Sequence, residues 1–262
     1  MKIVLDETYG ITEEIANEIS IHIRPANLFK NSDDGLLNEL RQEKSSLFGS
    51  DIKLRKYSIE DNIEFFSSFQ GEKVIYFYDE KISDIDGLSR LSNWLLPNVM
   101  LYPIPLTMNR AQFIYEVDFL KNKMMHFPDE ISFNSIKNWI NDCRDTTVSW
   151  SIIPDKKPFL NKNPFIKRYK NMKSNQYLLF QGLNDNNKKP LSKGEYHTLL
   201  EGLENKLGDN SRVVVVSKNV DVEINDTYEY YNLPNYLPPN NLPYVHIVAV
   251  RNSSESIGVN VE

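Results

Sequence analysis

Short apolar runs alternate with amphipathic ones five times through the first half of the chain, and this alternation restricts the fold more than any other feature. Lys73–Tyr78 (Lys-Val-Ile-Tyr-Phe-Tyr) is the clearest apolar run. It is nearly continuous in apolar and aromatic side chains, as a strand covered on both faces would be. Lys2–Asp6 and residues 21–24 and 98–104 read as further strands, and 52–57 alternates as a half-exposed strand does. Between them, residues 12–20 place Ile15, Ala16 and Ile19 on one face, with Glu13 and Glu14 in the first turn. Residues 33–48 carry Leu36, Leu37, Leu40 and Leu47 at helical spacing. Ser58-Ile59-Glu60-Asp61 reads as a capping box opening a helix to Phe69, and Ser83-Asp84-Ile85-Asp86 as the start of one that Pro97 stops. Residues 107–125 and 132–142 complete the helices. Strands that alternate with helices in this way predict an α/β fold: a mostly parallel, Rossmann-like sheet with helices on both faces.

The pattern breaks at 154–175, which holds Pro158, Pro164 and many Asn and Lys residues and reads as a basic linker or long loop. A second, smaller α/β segment is expected beyond it. Residues 176–180 form a strand, Ser192-Lys193-Gly194-Glu195 reads as a capping box, and Leu199, Leu200, Leu203 and Leu207 mark a helix face. Arg212-Val-Val-Val-Val-Ser217 is a buried strand, followed by strands at 227–231 and 244–250 around a proline-rich stretch. The expected domains are therefore 1–153 and 176–262, joined by 154–175.

A chain of 262 residues, 40% hydrophobic and 25% charged, builds its core without staples. Its one cysteine, Cys143, excludes an intrachain disulfide and any Cys-rich metal cluster. The N-terminal apolar run is too short for a signal peptide, and no run approaches the roughly 20 apolar residues of a membrane span. A reducing, cytoplasmic setting is expected. The net charge of −6 disfavours nucleic acid as a partner, since phosphate backbones select basic faces.

Two places could carry chemistry. Ligands of open α/β sheets bind beyond the carboxyl ends of the strands. Two strands end there in paired acids, Asp6-Glu7 and Asp79-Glu80. Asp6 and Asp79 brought together would suit acid–base work or admit Mg²⁺ or Mn²⁺. Acids at such turns serve equally well as helix caps. The second place is the linker, where Arg168 and several lysines interleave with Phe159, Phe165 and Tyr169. Positive charge beside stackable rings suits phosphates and bases; a solvated basic loop has the same composition.

Tyr177-Leu178-Leu179-Phe180-Gln181-Gly182, then Lys188-Lys189-Pro190-Leu191, Glu195-Tyr196 and Leu199-Leu200 resemble the opening of the C-terminal domain in GT-B glycosyltransferases of the heptosyltransferase-like branch. The resemblance implies a nucleotide-sugar phosphate held by Gly182 and by Lys188 or Lys189. Glycine lets backbone N–H groups approach a phosphate, and a helix N-terminus adds a favourable dipole.

Two functional readings follow. One is a transferase-like protein holding a small phosphorylated ligand between Lys188, Lys189 and Arg168 on one side and Asp6 and Asp79 on the other. The other is a non-catalytic module that binds a partner protein or assembles with itself. It is motivated by the absence of Walker A, Gly-x-Gly-x-x-Gly and Gly-x-Ser-x-Gly motifs and by the tyrosines and prolines near the C-terminus. A metal-dependent nuclease using the acidic turns is a minor third.

Overall fold

The structure is a computed structural model that describes residues 1–30, 52–80, 82–90, 98–107, 109–155, 176–182, 189–207, 212–218, 220, 222–223, 225–233 and 244–250. The chain divides into two compact units, Met1–Leu106 with Leu233–Asn241 and Thr107–Asn232 with Leu242–Glu262. This division lies ahead of the boundary expected at 153–154.

The first unit runs β1 (Lys2–Asp6), α1 (Glu13–Glu18), β2 (His22–Arg24), β3 (Asn27–Lys30), β4 (Ile52–Arg55), α2 (Ile59–Ser67), β5 (Lys73–Tyr78), α3 (Ile85–Arg90) and β6 (Met100–Pro105). Strands β2-β1-β5-β6 form a sheet in that order, and every neighbouring pair is parallel. The register sets Ile3 against Ile75 and Ile75 against Tyr102. Central strands of such a sheet must be apolar on both faces, and Val4, Leu5, Val74, Ile75 and Tyr76 are all fully buried. Phe66 of α2 and Leu88 of α3 pack on the face carrying Val4, Val74 and Tyr76. The capping box of α2 is present: Asp61 N–H donates to Ser58 Oγ (3.1 Å) and Ser58 N–H to Asp61 Oδ2 (2.7 Å). Strands β3 and β4 form a separate antiparallel pair.

The second unit runs α4 (Arg110–His126), α5 (Phe133–Asp145), β7 (Thr147–Pro154), β8 (Tyr177–Gln181), β9 (Ser192–Gly194), α6 (Tyr196–Leu207), β10 (Val213–Lys218), β11 (Glu229–Leu233) and β12 (Tyr244–Val250). Its sheet has the order β11-β10-β12-β7-β8-β9. The pairs from β10 through β9 are antiparallel. Leu199, Leu200, Leu203 and Leu207 of α6 cover one face, over Trp150, Ile152, Leu179, Val213, Val215 and Ile247. Helix α4 runs against β12 and β10, with its N-terminus reaching His246, whose side chain alternates to the other face.

The fold class is the expected one, a parallel Rossmann-like α/β sheet followed by a second α/β unit. Two details differ. Strand β7 occupies a stretch that carried no sequence assignment. Ser192 does not cap a helix: it pairs with Leu179 in the β8–β9 ladder, which commits its backbone to an extended state. Helix α6 starts only at Tyr196, and the carbonyl of Glu195 accepts the Leu199 N–H. The helix expected at 33–48 lies outside the described residues. No helix among the described residues is long and apolar enough to cross a membrane.

Candidate functional site

Because β1, β2 and β5 are parallel, their carboxyl ends share one edge of the first unit's sheet. That edge carries Asp6 at the end of β1, Arg24 beside it at the end of β2, and Tyr76, Asp79 and Ser83 at and beyond the end of β5. The edge is polar but almost dry. Asp6 is fully buried and Arg24 is 1% exposed.

Asp6 accepts the Tyr76 hydroxyl (2.5 Å) through Oδ1 and the Asp79 N–H (2.7 Å) through Oδ2. Burial disfavours its charge and lifts its pKa to about 6; the two hydrogen bonds and the Arg24 charge oppose that rise. Arg24 Nη1 donates to Asn62 Oδ1 (2.9 Å) and to the Tyr76 hydroxyl oxygen (3.0 Å). Tyr76 thus bridges the cation and the acid, and Ser83 Oγ lies 2.8 Å from the same oxygen. Burial beside the Asp6 charge pushes the Tyr76 hydroxyl well above its ordinary pKa. Tyr76 therefore keeps its proton and works as a fixed relay of hydrogen bonds.

The Arg24 guanidinium lies 3.5 Å from the centroid of the Tyr57 ring, with Phe65, Phe66 and Tyr76 about it at 5.1–5.5 Å. Cation–π contact of this kind suits a desolvated guanidinium. Tyr57 is held in place by its hydroxyl, which donates to the Pro25 carbonyl (2.8 Å). Arg24 Nη2 is buried and has no hydrogen-bond partner. A guanidinium is always charged, and an unmade bond to a buried charged donor costs at least about 1–3 kcal/mol. Arg24, Tyr57 and Phe65 line a cleft of about 380 Å³, with the carboxylates of Asp61 and Glu64 at its margin. The cleft therefore combines a fixed positive charge, aromatic walls and two acidic side chains.

The sequence-derived residues fall as follows. Asp6 and Asp79 do come together: Asp79 offers Asp6 its backbone N–H and accepts Thr8 Oγ1 through Oδ2 (3.1 Å). Among the described residues no three His, Cys, Asp or Glu side chains converge as metal donors. Gly182 follows β8 in the second unit at φ +112°, a conformation that favours glycine. Its N–H donates to the Ser149 carbonyl, and it lines a separate cleft of about 160 Å³ with Gln112, Arg144 and Thr147. Lys189 is exposed, and Arg168 and Lys188 lie outside the described residues. Arg24, Tyr57 and Tyr76 were not singled out from the sequence. The available signal was an arginine ending a short strand directly before Pro25, in a chain otherwise acid-ended at this edge.

No protein-family model matches the sequence, and a search of curated proteins finds no relative. Solved structures do match. A stearic-acid-binding protein from Eubacterium ventriosum superposes with a TM-score of 0.57 at 16% identity, covering 95% of this chain and 98% of the other. DegV, a fatty-acid-binding protein from Bacillus subtilis, gives 0.53 at 13% over 95% and 99%. The fatty acid kinase B3 protein of Streptococcus pneumoniae, loaded with linoleic acid, gives 0.54 at 11% over 96% and 99%. The chain has a DegV-like two-domain α/β fold.

This finding overturns the GT-B reading. The Tyr177–Gln181 segment is β8, in an antiparallel sheet next to β7 and β9, and not the first strand of a parallel nucleotide-binding unit. The resemblance rested on residue types that any strand, loop and helix would share. The glycosyltransferase function falls with it. The assembly-module and nuclease readings fit no better with a fold whose solved neighbours are described as fatty-acid-binding proteins.

Proposed function

We propose that this protein binds a long-chain fatty acid, its carboxylate paired with Arg24 and its hydrocarbon chain laid against Tyr57 and Phe65. The observation that carries the reading is the unpartnered Nη2 of a buried guanidinium lining an aromatic-walled cleft. A carboxylate supplies the missing acceptor, and charge-assisted bonds of this type are the strong ones. About 380 Å³ lies within the usual range of ligand clefts, and Pro25, Tyr57 and Phe65 supply its apolar wall. The fatty-acid-binding proteins that share the fold support the same ligand class. Tyr57 covers the guanidinium, so entry of the headgroup requires its ring to swing away.

Oleate binding followed by displacement of a fluorescent fatty acid tests this. Wild-type protein should bind oleate and discriminate against methyl oleate, which lacks the charge. Arg24→Met should weaken oleate binding about 10- to 100-fold, the loss of one charge-assisted bond. Equal binding of the acid and its ester, or an Arg24→Met protein that binds oleate normally, refutes the assignment.

A further inference from the structure

The two hydrogen-bond partners of Arg24 are both neutral. Nη1 donates to Asn62 Oδ1 (2.9 Å) and to the Tyr76 hydroxyl oxygen (3.0 Å). The rings of Tyr57, Phe65, Phe66 and Tyr76 surround the guanidinium, and aromatic faces steady a cation without cancelling its charge. Among the described residues no carboxylate forms an ion pair with it. Three acids share this corner of the first unit, and none takes that role. Asp6 stands one hydroxyl away, accepting the Tyr76 O–H. Asp61 accepts the Ser58 N–H of the capping box (2.7 Å) and faces Arg55 (3.6 Å). Glu64 is exposed.

Asn62 is where this neutrality is decided. It is buried in the first turn of α2, and its amide is held at both ends. Nδ2 donates to the Ser58 carbonyl (2.8 Å), which turns Oδ1 toward Arg24. An aspartate has the same shape. It would set a carboxylate oxygen against Nη1 and close a buried ion pair inside the protein. Asparagine keeps the contact and leaves the charge uncancelled. A buried guanidinium without a counter-charge is unfavourable, and so is its Nη2 without an acceptor. A ligand carboxylate relieves both at once.

We propose that Asn62 is the specificity-determining residue of the Arg24 cleft. By holding the guanidinium through a neutral acceptor it keeps the charge available, and for that reason the cleft prefers a carboxylate to its uncharged analogue. This inference rests on the fatty-acid reading and names the residue that sets its selectivity.

Equilibrium dialysis with radiolabelled oleate and methyl oleate at neutral pH tests it. Wild type should favour the acid at least about tenfold. Asn62→Asp should bring the ratio to within about threefold of unity by weakening oleate alone. Its affinity for methyl oleate should stay that of wild type, which also reports that the cleft is folded. Asn62→Ala removes the contact and adds no charge, so it should keep the preference for the acid. Ser68→Asp places a new carboxylate at an exposed position lining the same cleft and should lower the ratio by less than about threefold. A wild-type ratio retained in Asn62→Asp, or a ratio lost equally in Asn62→Ala or Ser68→Asp, overturns the role of Asn62. Should Asn62→Asp bind neither ligand, Asn62→Ala decides: a kept preference upholds the inference and a lost one overturns it. A wild type that does not distinguish acid from ester refutes the fatty-acid reading and this inference with it, whereas discrimination that survives Asn62→Asp refutes this inference alone.

Discussion

Asp6 illustrates how one side chain can work against the fold in order to organise it. Its pKa in the folded protein, about 6, lies above the ordinary carboxylate value of 3.8. The folded state therefore holds this proton to higher pH than the unfolded chain does. Stability contributed at low pH is lost as pH rises from about 4 to about 6, and the loss is complete above that window. Its size is on the order of 3 kcal/mol. Urea unfolding measured from pH 4 to 8 should show this decline in wild type. Asp6→Asn, which removes the titration, should flatten it. A decline of unchanged slope in Asp6→Asn would show that another group is responsible. What Asp6 returns is orientation: through Tyr76 it fixes Nη1 of Arg24 and leaves Nη2 free. None of this was legible in the sequence. An arginine at the end of a strand reads as surface charge, and the tyrosine that bridges it to Asp6 lies 52 residues further on.

Secondary-structure elements show the same division between local and distant information. Lys2–Asp6, Lys73–Tyr78 and Tyr244–Val250 match their apolar runs end to end, because burial on both faces leaves a continuous signature. Strand β7 carries the same alternation as 52–57, with Ser149 and Ser151 between Trp150 and Ile152, yet all four are buried. Alternation of that kind reads as half exposure, and only the tertiary fold buries the serines. Ion pairs between elements separate by burial as well. Arg144 makes a bidentate bond from α5 to Glu116 of α4, at 2.7 and 3.2 Å, with the Glu116 side chain 1% exposed. Arg212 joins Asp118 and Glu229 in a network whose members are all about 40% exposed. Arg144→Met, which strands a buried acid, should cost about 3–5 kcal/mol at neutral pH. Arg212→Gln should cost no more than about 1 kcal/mol. Chemical denaturation of both variants gives the comparison, and equal costs would contradict the ranking.

At the scale of the whole molecule, the two units differ in how their sheets are closed. The first is parallel and needs a crossover between every pair of strands. The second is built from antiparallel ladders centred on β12, with β10 on one side and β7 on the other. Backbone amides at the centres of both sheets should exchange most slowly, in β1 and β5 of one and in β10, β12 and β7 of the other. Hydrogen exchange followed by mass spectrometry reads this directly. Protection greater in edge strands β2 and β9 than in those centres would contradict the topology. The alternation of strands and helices foretold the parallel sheet, but it could not show that α4 and α5 belong to the second unit, since a helix's sequence names its apolar face and not the sheet that receives it.

Strand β10 carries four consecutive valines, each buried, so along Val213–Val216 its two faces present the same side chain. A neighbour sliding along it by one residue would meet the same methyl groups as before. Alignment must then be dictated from outside the valines, by the Lys218–Tyr244 pairing at one end and the Arg212 contacts at the other. When the chain is unfolded, the same uniformity leaves a sticky segment with no preferred partner, free to zip onto copies of itself. Refolding yield should therefore fall with protein concentration, and a single polar residue among the valines would recover soluble chain at the expense of native stability.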